Sequence, residues 1–276
     1  MSIVITGANG KLGSLIIEKL LHQMPSDQII ACVRQPERAS RFKERGVEVR
    51  FCDYDRPESL SEAFRGAARL LLISSSHPDD TVRMRQHAHA IEAAKQAKVG
   101  HLLYTSFAFP HAGSIPLTHL HLATEHAILA SGIPYTLLRN ALYIDFVGVL
   151  GLIDGLASSD ELIVPPGDWR FNSLTRDDLA SGIASVLSQP DPHMNATYEL
   201  TSPRPWGFEE LALALSELTG AHIALRHDSG VDHWMYHFLQ KIDTASTSLD
   251  LEKLMGAPAA SLRASIGQIL PLSRKN

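Results

Sequence analysis

Three glycines near the start of the chain have the spacing of a backbone-lined anion site. Gly7, Gly10 and Gly13 lie three residues apart, between an apolar run and a segment whose apolar residues recur at helical spacing. Glycine permits a tight turn, a close approach of backbone to a ligand, and close packing of a helix on a strand. A helix start adds unpaired N–H groups and the positive end of a dipole. The spacing therefore predicts a pyrophosphate-binding turn.

Two other interpretations of this turn are weaker. A phosphate loop of the ATPase kind is excluded, because Leu12 follows Gly10-Lys11 where Ser or Thr is needed, and Ile5 takes the place of the first glycine. A plain glycine-rich turn is the remaining alternative. A predicted strand at residues 3–6 and a predicted helix after the turn favour dinucleotide binding.

Arg34 indicates which dinucleotide is bound. It ends the second predicted strand, residues 28–34, and lies 21 residues after Gly13. A fold that selects NAD carries an acid at about this position to hold the ribose hydroxyls, whereas a guanidinium pairs with a 2′-phosphate. The sequence therefore predicts NADPH over NADH. The alternative is a solvated surface arginine before Pro36.

Alternating strands and helices must position these groups. This alternation predicts an α/β fold, a Rossmann-type doubly wound parallel sheet with right-handed crossovers. The predicted strands are residues 3–6, 28–34, 47–53, 69–76, 101–107 and 133–139. A helix is predicted at residues 84–99, before the fifth strand, and another from about 122 to 130, before the sixth.

Ligands in such sheets bind beyond the carboxyl ends of the strands, so strand-terminal residues are candidate site residues. Asp53 and Tyr54 are predicted near an adenine. Ser74 and Ser75 are predicted near the diphosphate or the nicotinamide ribose, with a loop cap as the alternative. The other strand-terminal candidates are Thr105, Ser106, Phe107, Arg139 and Asn140.

The alternation breaks after Ala141, which predicts a smaller C-terminal α/β lobe. We expect residues 1–145 plus 170–202 to form the cofactor domain, and 146–169 plus 203–276 to form a lobe on the substrate side. The predicted helices there are 175–187, 207–220, 231–242 and about 260–270, and the predicted strands are 197–202 and 222–226.

Composition excludes several classes of protein. The chain has 276 residues, is 45% hydrophobic and carries a formal charge of −5, which suits a globular enzyme and not a nucleic-acid-binding protein. Its only cysteines, Cys32 and Cys52, suit a reducing compartment and are interpreted as buried apolar residues. Without a predicted signal peptide or membrane span, we expect a cytoplasmic location. A homodimer is left open.

Two catalytic arrangements are missing from the sequence. None of the six tyrosines has a lysine four residues later, so the Tyr-Lys pair that delivers a proton to a carbonyl oxygen is absent. Among 14 histidines, His87 and His89 face different directions on a predicted helix. His119 and His121 lie near Glu125, but no third ligand stands out, so no metal is predicted.

Several segments together resemble one known family. They are "TGANGKLG", the arginine-ended second strand, "LLLISSS", "HLLYTSF" and "IPYTLLRNALYIDF". The chain resembles the NmrA-like atypical short-chain dehydrogenase/reductase family, and in particular its subgroup of triphenylmethane reductase and NADPH-dependent quinone oxidoreductase. The resemblance is weaker after Gly220.

The resemblance implies roles for individual residues. Gly7, Asn9, Gly10, Lys11 and Leu12 fall on the phosphate-binding turn, and Arg34 falls on the residue that contacts the 2′-phosphate. The resemblance also puts Asp53 on the adenine side, and Ser74 and Ser75 along the cofactor. The remaining positions near the nicotinamide are Thr105, Ser106 and Phe107.

It also implies the substrate side of the site. Asn140 and Tyr143 fall where relatives line the substrate cleft, and His121 aligns with a catalytic lysine of isoflavone-reductase-like relatives. His121 and Tyr143 are therefore the candidate catalytic residues, and His121 would bind the ribose or donate a proton. Candidate aromatic walls for the substrate are Phe107, Phe109, Tyr143, Phe146 and Trp169.

The predicted function is NADPH-dependent hydride transfer to quinones or planar aromatic acceptors such as triarylmethane dyes. A dye cation that accepts hydride becomes neutral and needs no proton, and quinone oxygens can be protonated from water, so the protein mainly positions the acceptor. One alternative is a non-catalytic, NADP-binding redox-sensing regulator of the NmrA type. A sugar-nucleotide epimerase ranks last, because it needs a Tyr-Lys pair.

Overall fold

The computed structural model describes residues 2–111, 115–156 and 159–270. Its strands are β1 (Ser2–Ile5), β2 (Ile29–Val33), β3 (Glu48–Phe51), β4 (Ala67–Leu72), β5 (His101–Phe107), β6 (Tyr135–Asn140), β7 (Leu142–Tyr143), β8 (Glu161–Val164), β9 (Ser173–Leu174), β10 (Ala196–Leu200) and β11 (Ala224–His227). Seven of them form a parallel sheet in the order β10-β6-β5-β4-β1-β2-β3. The predicted doubly wound sheet is confirmed, and its order reverses between β1 and β4.

Twelve α-helices of the described residues cover both faces of this sheet or build the smaller lobe. They are α1 (Lys11–Leu21), α2 (Ser40–Lys43), α3 (Pro57–Ala63), α4 (Asp80–Gln96), α5 (Pro116–Ser131), α6 (Phe146–Val149), α7 (Leu152–Gly155), α8 (Arg176–Ser188), α9 (Phe208–Thr219), α10 (Trp234–Leu239), α11 (Asp250–Met255) and α12 (Leu262–Ile269). Helices α1 and α8 pack on one face, and α3, α4 and α5 pack on the other.

Strand β1 shows why its sequence is apolar throughout. Ile3 and Ile5 point into the core under α1 and α8, whereas Val4 points into the opposite core under α3 and α4. Successive side chains of a strand alternate between faces, so a strand covered by helices on both sides has no polar face.

The smaller lobe has its own core. Strands β8 and β11 form a parallel pair, and α6, α7, α9, α10 and α12 pack around them. An aromatic cluster fills this core, and its members are Phe146, Trp169, Phe171, Trp206, Phe208 and Tyr236. Of the candidate wall residues, Phe146 is buried in this core, and Trp169 packs half-buried against it.

Several predicted bounds were wrong for local reasons. Helix α5 begins at Pro116 and not near residue 122, since proline at the first position of a helix already has a helical φ. Helix α4 begins at Asp80, where the Asp79 carboxylate caps it by accepting the N–H groups of Thr81 and Val82. Helix α11 was not predicted, and it packs on α8 and β10. Within the described ranges, no helix is long and apolar enough to cross a bilayer.

Candidate dinucleotide and acceptor site

The glycine turn has the geometry of an open cradle. Gly7 adopts a left-handed φ of 60°, and the Gly10 N–H donates to its carbonyl oxygen at 2.9 Å. A Cβ on Gly13 would lie 2.5 Å from that same oxygen, so only glycine fits. Helix α1 begins at Lys11, and Gly10 has no side chain with which to cap it. The first N–H groups of the helix, which lack partners within a helix, are therefore left for an anion.

The side chains of this turn differ in what they can offer. Asn9 and Lys11 are exposed, whereas Leu12 is buried in the core beneath the turn and can contribute only its backbone. The Lys11 ammonium lies 3.4 Å from a carboxylate oxygen of Asp145, which follows β7. The turn is tied to β2 by the Ala8 N–H, which donates to the Cys32 carbonyl at 3.2 Å.

Arg34 is the first residue after β2, and it is exposed at the carboxyl edge of the sheet beside the turn. Asp53 is half-buried shortly after β3, and its carboxylate accepts the Asp55 N–H at 3.1 Å. Both residues lie at the edge where their predicted contacts with a nucleotide would occur. Those contacts stay predictions.

The hydroxyl of Tyr54 is occupied inside the protein. It lies 2.6 Å from the Thr6 hydroxyl and 2.8 Å from the Ile73 carbonyl oxygen, and it thereby joins β1 to the end of β4. Burial raises the pKa of Tyr54 well above its ordinary value. Only the ring of Tyr54 is left for the predicted adenine contact.

At the end of β4, the backbone of both serines is held by side chains from neighbouring elements. The Ser74 N–H donates to the Thr105 hydroxyl, and the Ser75 N–H donates to His87 Nε2, both at 2.9 Å. Arg83 on α4 donates to the Ser74 hydroxyl at 3.0 Å. Sequence reasoning missed Arg83, whose only signal was its place on the first turns of a helix that follows a site strand.

His87 is a neutral structural group. Because its Nε2 accepts from Ser75, its proton is assigned to Nδ1, which lies 3.0 Å from the Thr124 hydroxyl. Burial, aided by the nearby Arg83, lowers the pKa of His87 to about 3. In the part of the chain that the structure describes, no three metal-ligating side chains are placed to hold an ion.

His121 is also buried and neutral. Its Nδ1 lies 2.9 Å from the Tyr104 hydroxyl, and the Phe107 ring stacks on it with centroids 6.2 Å apart. Burial, with a smaller contribution from Arg83, lowers the pKa of His121 to about 3. At neutral pH this group can make hydrogen bonds but holds no acidic imidazolium proton. Its predicted catalytic role stays a prediction.

Asn140 ends β6, and Tyr143 lies three residues later in β7. Asn140 is buried, and its amide oxygen has no hydrogen-bond partner among the described residues. Burial raises the pKa of Tyr143, whose ring lies 4.1 Å from the Arg176 guanidinium carbon. Asp145 pairs with both Arg176 and Lys11 and so links this region to the glycine turn.

A narrow crevice lies between the carboxyl edge of the sheet and the smaller lobe. Phe107, Phe109, Ala141 and Leu142 line its sheet side. The lobe side is lined by Asn172, Thr201, Asp243 and Ser246. Ser106 does not line it, because its hydroxyl donates to the Glu125 carboxylate at 2.5 Å. Asn140 and Tyr143 flank the lining residues Ala141 and Leu142 in the chain, and the sheet side of the crevice is apolar.

The sheet order, the glycine cradle and the edge crevice together define a Rossmann-type dinucleotide-binding protein. The profile of the NAD(P)H-binding family matches residues 7–190. Quinone oxidoreductase 2 of Escherichia coli K12 is 33% identical, and the alignment covers 97% of this chain and 98% of that protein.

Two solved structures of other proteins are similar to this chain in both fold and sequence. The triphenylmethane reductase of Citrobacter sp. is 42% identical with a TM-score of 0.88, covering 98% of this chain and 99% of that one. The NADPH complex of the Escherichia coli quinone oxidoreductase is 32% identical with a TM-score of 0.83, covering 98% of this chain and 100% of that one. The chain belongs to the NAD(P)H-binding, NmrA-like family, which confirms the resemblance seen in the sequence.

Proposed function

We propose that this protein is an NADPH-dependent reductase that transfers hydride to quinones or other planar aromatic acceptors. The observation that carries the proposal is the open glycine cradle at α1, with the crevice on the same edge of the sheet. The relatives reported above are a quinone oxidoreductase and a triphenylmethane reductase, and structures of both are known with NADP(H) or NADPH.

The residues present fit a phosphorylated dinucleotide. Gly7 has a left-handed φ, and Gly13 lets α1 pack so close to the turn that a Cβ there would lie 2.5 Å from the Gly7 carbonyl oxygen, so the turn presents the first N–H groups of α1 where a pyrophosphate would lie. Arg34 provides the guanidinium for a 2′-phosphate, and an acid that would hold a free ribose diol is missing at this position. Asn140, with its unpaired amide oxygen, would accept a hydrogen bond from a donor on the nicotinamide or the acceptor.

The described residues are better suited to position the cofactor and the acceptor than to transfer a proton. The bound cofactor supplies the hydride. Phe107 and Phe109 would hold a flat acceptor in place, and the neutral His121 would orient the cofactor or Phe107 without donating a proton. Tyr143, whose pKa is raised by burial, keeps its proton and would contact the acceptor.

Turnover assays test this function. Purified protein should oxidise NADPH in the presence of menadione, and in the presence of a triarylmethane dye it should bleach the dye at the same rate as NADPH is consumed. An absence of NADPH oxidation with both acceptors would contradict the proposal.

A second candidate is an NADP-binding regulator without turnover. Two observations favour it, because they leave the site without a general acid: His121 is buried and neutral, and the chain lacks a Tyr-Lys pair. Tight binding of NADP⁺ in calorimetry, together with no turnover on a panel of quinones and dyes, would favour this candidate.

We also propose the division into a cofactor domain of residues 1–145 plus 170–202 and a substrate-side lobe of 146–169 plus 203–276. Helix α11 attaches part of the second unit to α8 and β10, so that segment would anchor the lobe to the sheet. The cytoplasmic location and a homodimer stay predictions, and sedimentation analysis would test the latter.

A further inference from the structure

One row of polar residues crosses the sheet below the crevice. Ser106 on β5, Arg139 on β6 and Glu199 on β10 are in register as neighbours. Glu125 on α5 lies over the same row, where its carboxylate contacts both Ser106 and Arg139. The row thus joins three strands and a helix at the carboxyl edge of the sheet.

Arg139 bridges two carboxylates in this row. It donates from Nε and Nη2 to the two Glu125 oxygens at 2.9 and 2.7 Å, and from Nη1 to Glu199 Oε1 at 2.8 Å. The hydrogen bond to Glu125 is the main reason that the pKa of Arg139 is raised. Because Glu125 already pairs with Arg139 in a bidentate geometry, charge neutralisation alone does not require Glu199.

The second oxygen of Glu199 holds a strained residue. Glu199 Oε2 accepts the backbone N–H of Phe109 at 2.9 Å. Phe109 adopts a left-handed φ of 45°, which is unfavourable for an aromatic residue, and it precedes Pro110, which restricts its backbone further. Strained backbone persists where surrounding contacts over-determine it, and such sites are often functional.

We propose that Glu199 is a positioning residue for the acceptor. Anchored by Arg139, it holds the Phe109 backbone in the left-handed conformation, while Ser106 and Glu125 hold the preceding residues. The two aromatic side chains between these anchors, Phe107 and Phe109, then form a fixed wall of the crevice. The inference rests on the proposed function, because it assigns the crevice to the planar acceptor.

A double-mutant cycle tests whether Glu199 acts through Phe109. The variants are Glu199→Ala, Phe109→Gly and the double variant, and the readout is the Kd of menadione for the NADP⁺-loaded protein. We expect each single change to weaken menadione binding by roughly 10-fold, and the double variant to bind no worse than Phe109→Gly, as for residues that act together. The Kd of NADPH should change by less than about 2-fold in all of them.

Two further variants serve as a rescue and a control. Glu199→Gln keeps an oxygen that can accept the Phe109 N–H, so we expect its menadione Kd within about 3-fold of the wild type. Glu48→Ala removes a glutamate of β3 that also pairs with an arginine, Arg50, at the opposite edge of the sheet. We expect it to leave menadione binding unchanged.

The outcomes separate this inference from the proposed function. If the fold-changes of the two single variants multiply in the double variant, Glu199 does not act through Phe109 and the inference fails. It also fails if Glu199→Gln binds menadione as poorly as Glu199→Ala. A wild type that binds menadione and shows the expected cycle, but oxidises no NADPH, would contradict only the proposed function, and a wild type that does not bind menadione would overturn both.

Discussion

At the scale of single residues, burial decides what His121 can do. Its sequence position suggested a group that titrates near neutral pH, but the structure buries the ring to 5% exposure against Tyr104 and Phe107. Desolvation disfavours the charged imidazolium, so the side chain stays neutral from neutral pH down to about 3. A hydride acceptor that needs no enzymatic proton is consistent with such a site.

This leads to a prediction for His121→Gln. With menadione, whose oxygens must gain protons on reduction, loss of a general acid would lower kcat by roughly 10²- to 10⁴-fold, whereas loss of a positioning contact should lower it by less than about 10-fold. We also expect the shape of the pH–rate profile between pH 5 and 8 to be the same in both proteins. Steady-state kinetics with menadione measure both quantities, and a titration present only in the wild type would argue that His121 transfers a proton.

At the scale of elements, the turn between β1 and α1 is the feature that substitution should disturb most selectively. In Gly13→Ala, the new Cβ would lie 2.5 Å from the Gly7 carbonyl oxygen, so the turn must shift. Overpacking of this kind costs about 1–3 kcal/mol of folding stability. We expect the NADPH Kd to rise by roughly 10- to 100-fold, since a shift of 1.4 kcal/mol is a factor of ten.

A matched control is Gly155→Ala in α7, whose added Cβ would meet nothing within 4 Å. Isothermal titration with NADPH and thermal unfolding should show nearly wild-type behaviour for it. Equal NADPH affinity in Gly13→Ala and Gly155→Ala would show that the turn does not contact the cofactor.

Sequence patterns predicted these elements to different degrees. The apolar runs of β1 and β4 and the glycine spacing are local signals, so the parallel sheet and the turn were predictable. The start of α5 at Pro116 was predictable in principle, but the helical periodicity after residue 122 masked it. The hydrogen bond that the Phe109 N–H donates to Glu199 joins residues 90 positions apart, and no local pattern predicts such a contact.

At the scale of the whole molecule, buried histidines make the fold sensitive to acid, and the pKa is lowered furthest in His87 and His121. His87 and His121 are 1% and 5% exposed, and burial lowers the pKa of each to about 3. In the unfolded chain both would titrate near 6.5. Between these values the unfolded state binds more protons than the folded state. The contribution of the two histidines to the free energy of unfolding is therefore complete above about pH 6.5 and falls as the pH decreases toward 3.

The expected loss is about 1 kcal/mol per pH unit for each histidine below pH 6. Denaturant unfolding at pH 4.5, 5.25 and 6 should therefore show a shallower slope of stability against pH for His121→Gln than for the wild type. The exposed His22 provides the control, since His22→Gln should keep the wild-type slope. Identical slopes for all three proteins would contradict the neutral assignment of His121.

The central claim is that the edge of the sheet at Arg34 and the glycine turn holds a 2′-phosphorylated nucleotide and delivers its hydride to a flat acceptor. The most direct measurement compares kcat/KM for NADPH and NADH, with menadione, in the wild type, Arg34→Glu and the nearby control Arg38→Glu. Because hydrogen bonds to a charged group contribute about 1.5–3 kcal/mol, we predict a preference of roughly 10- to 100-fold for NADPH that Arg34→Glu removes and Arg38→Glu retains. An unchanged preference in Arg34→Glu, or no oxidation of either nucleotide by the wild type, would contradict the account.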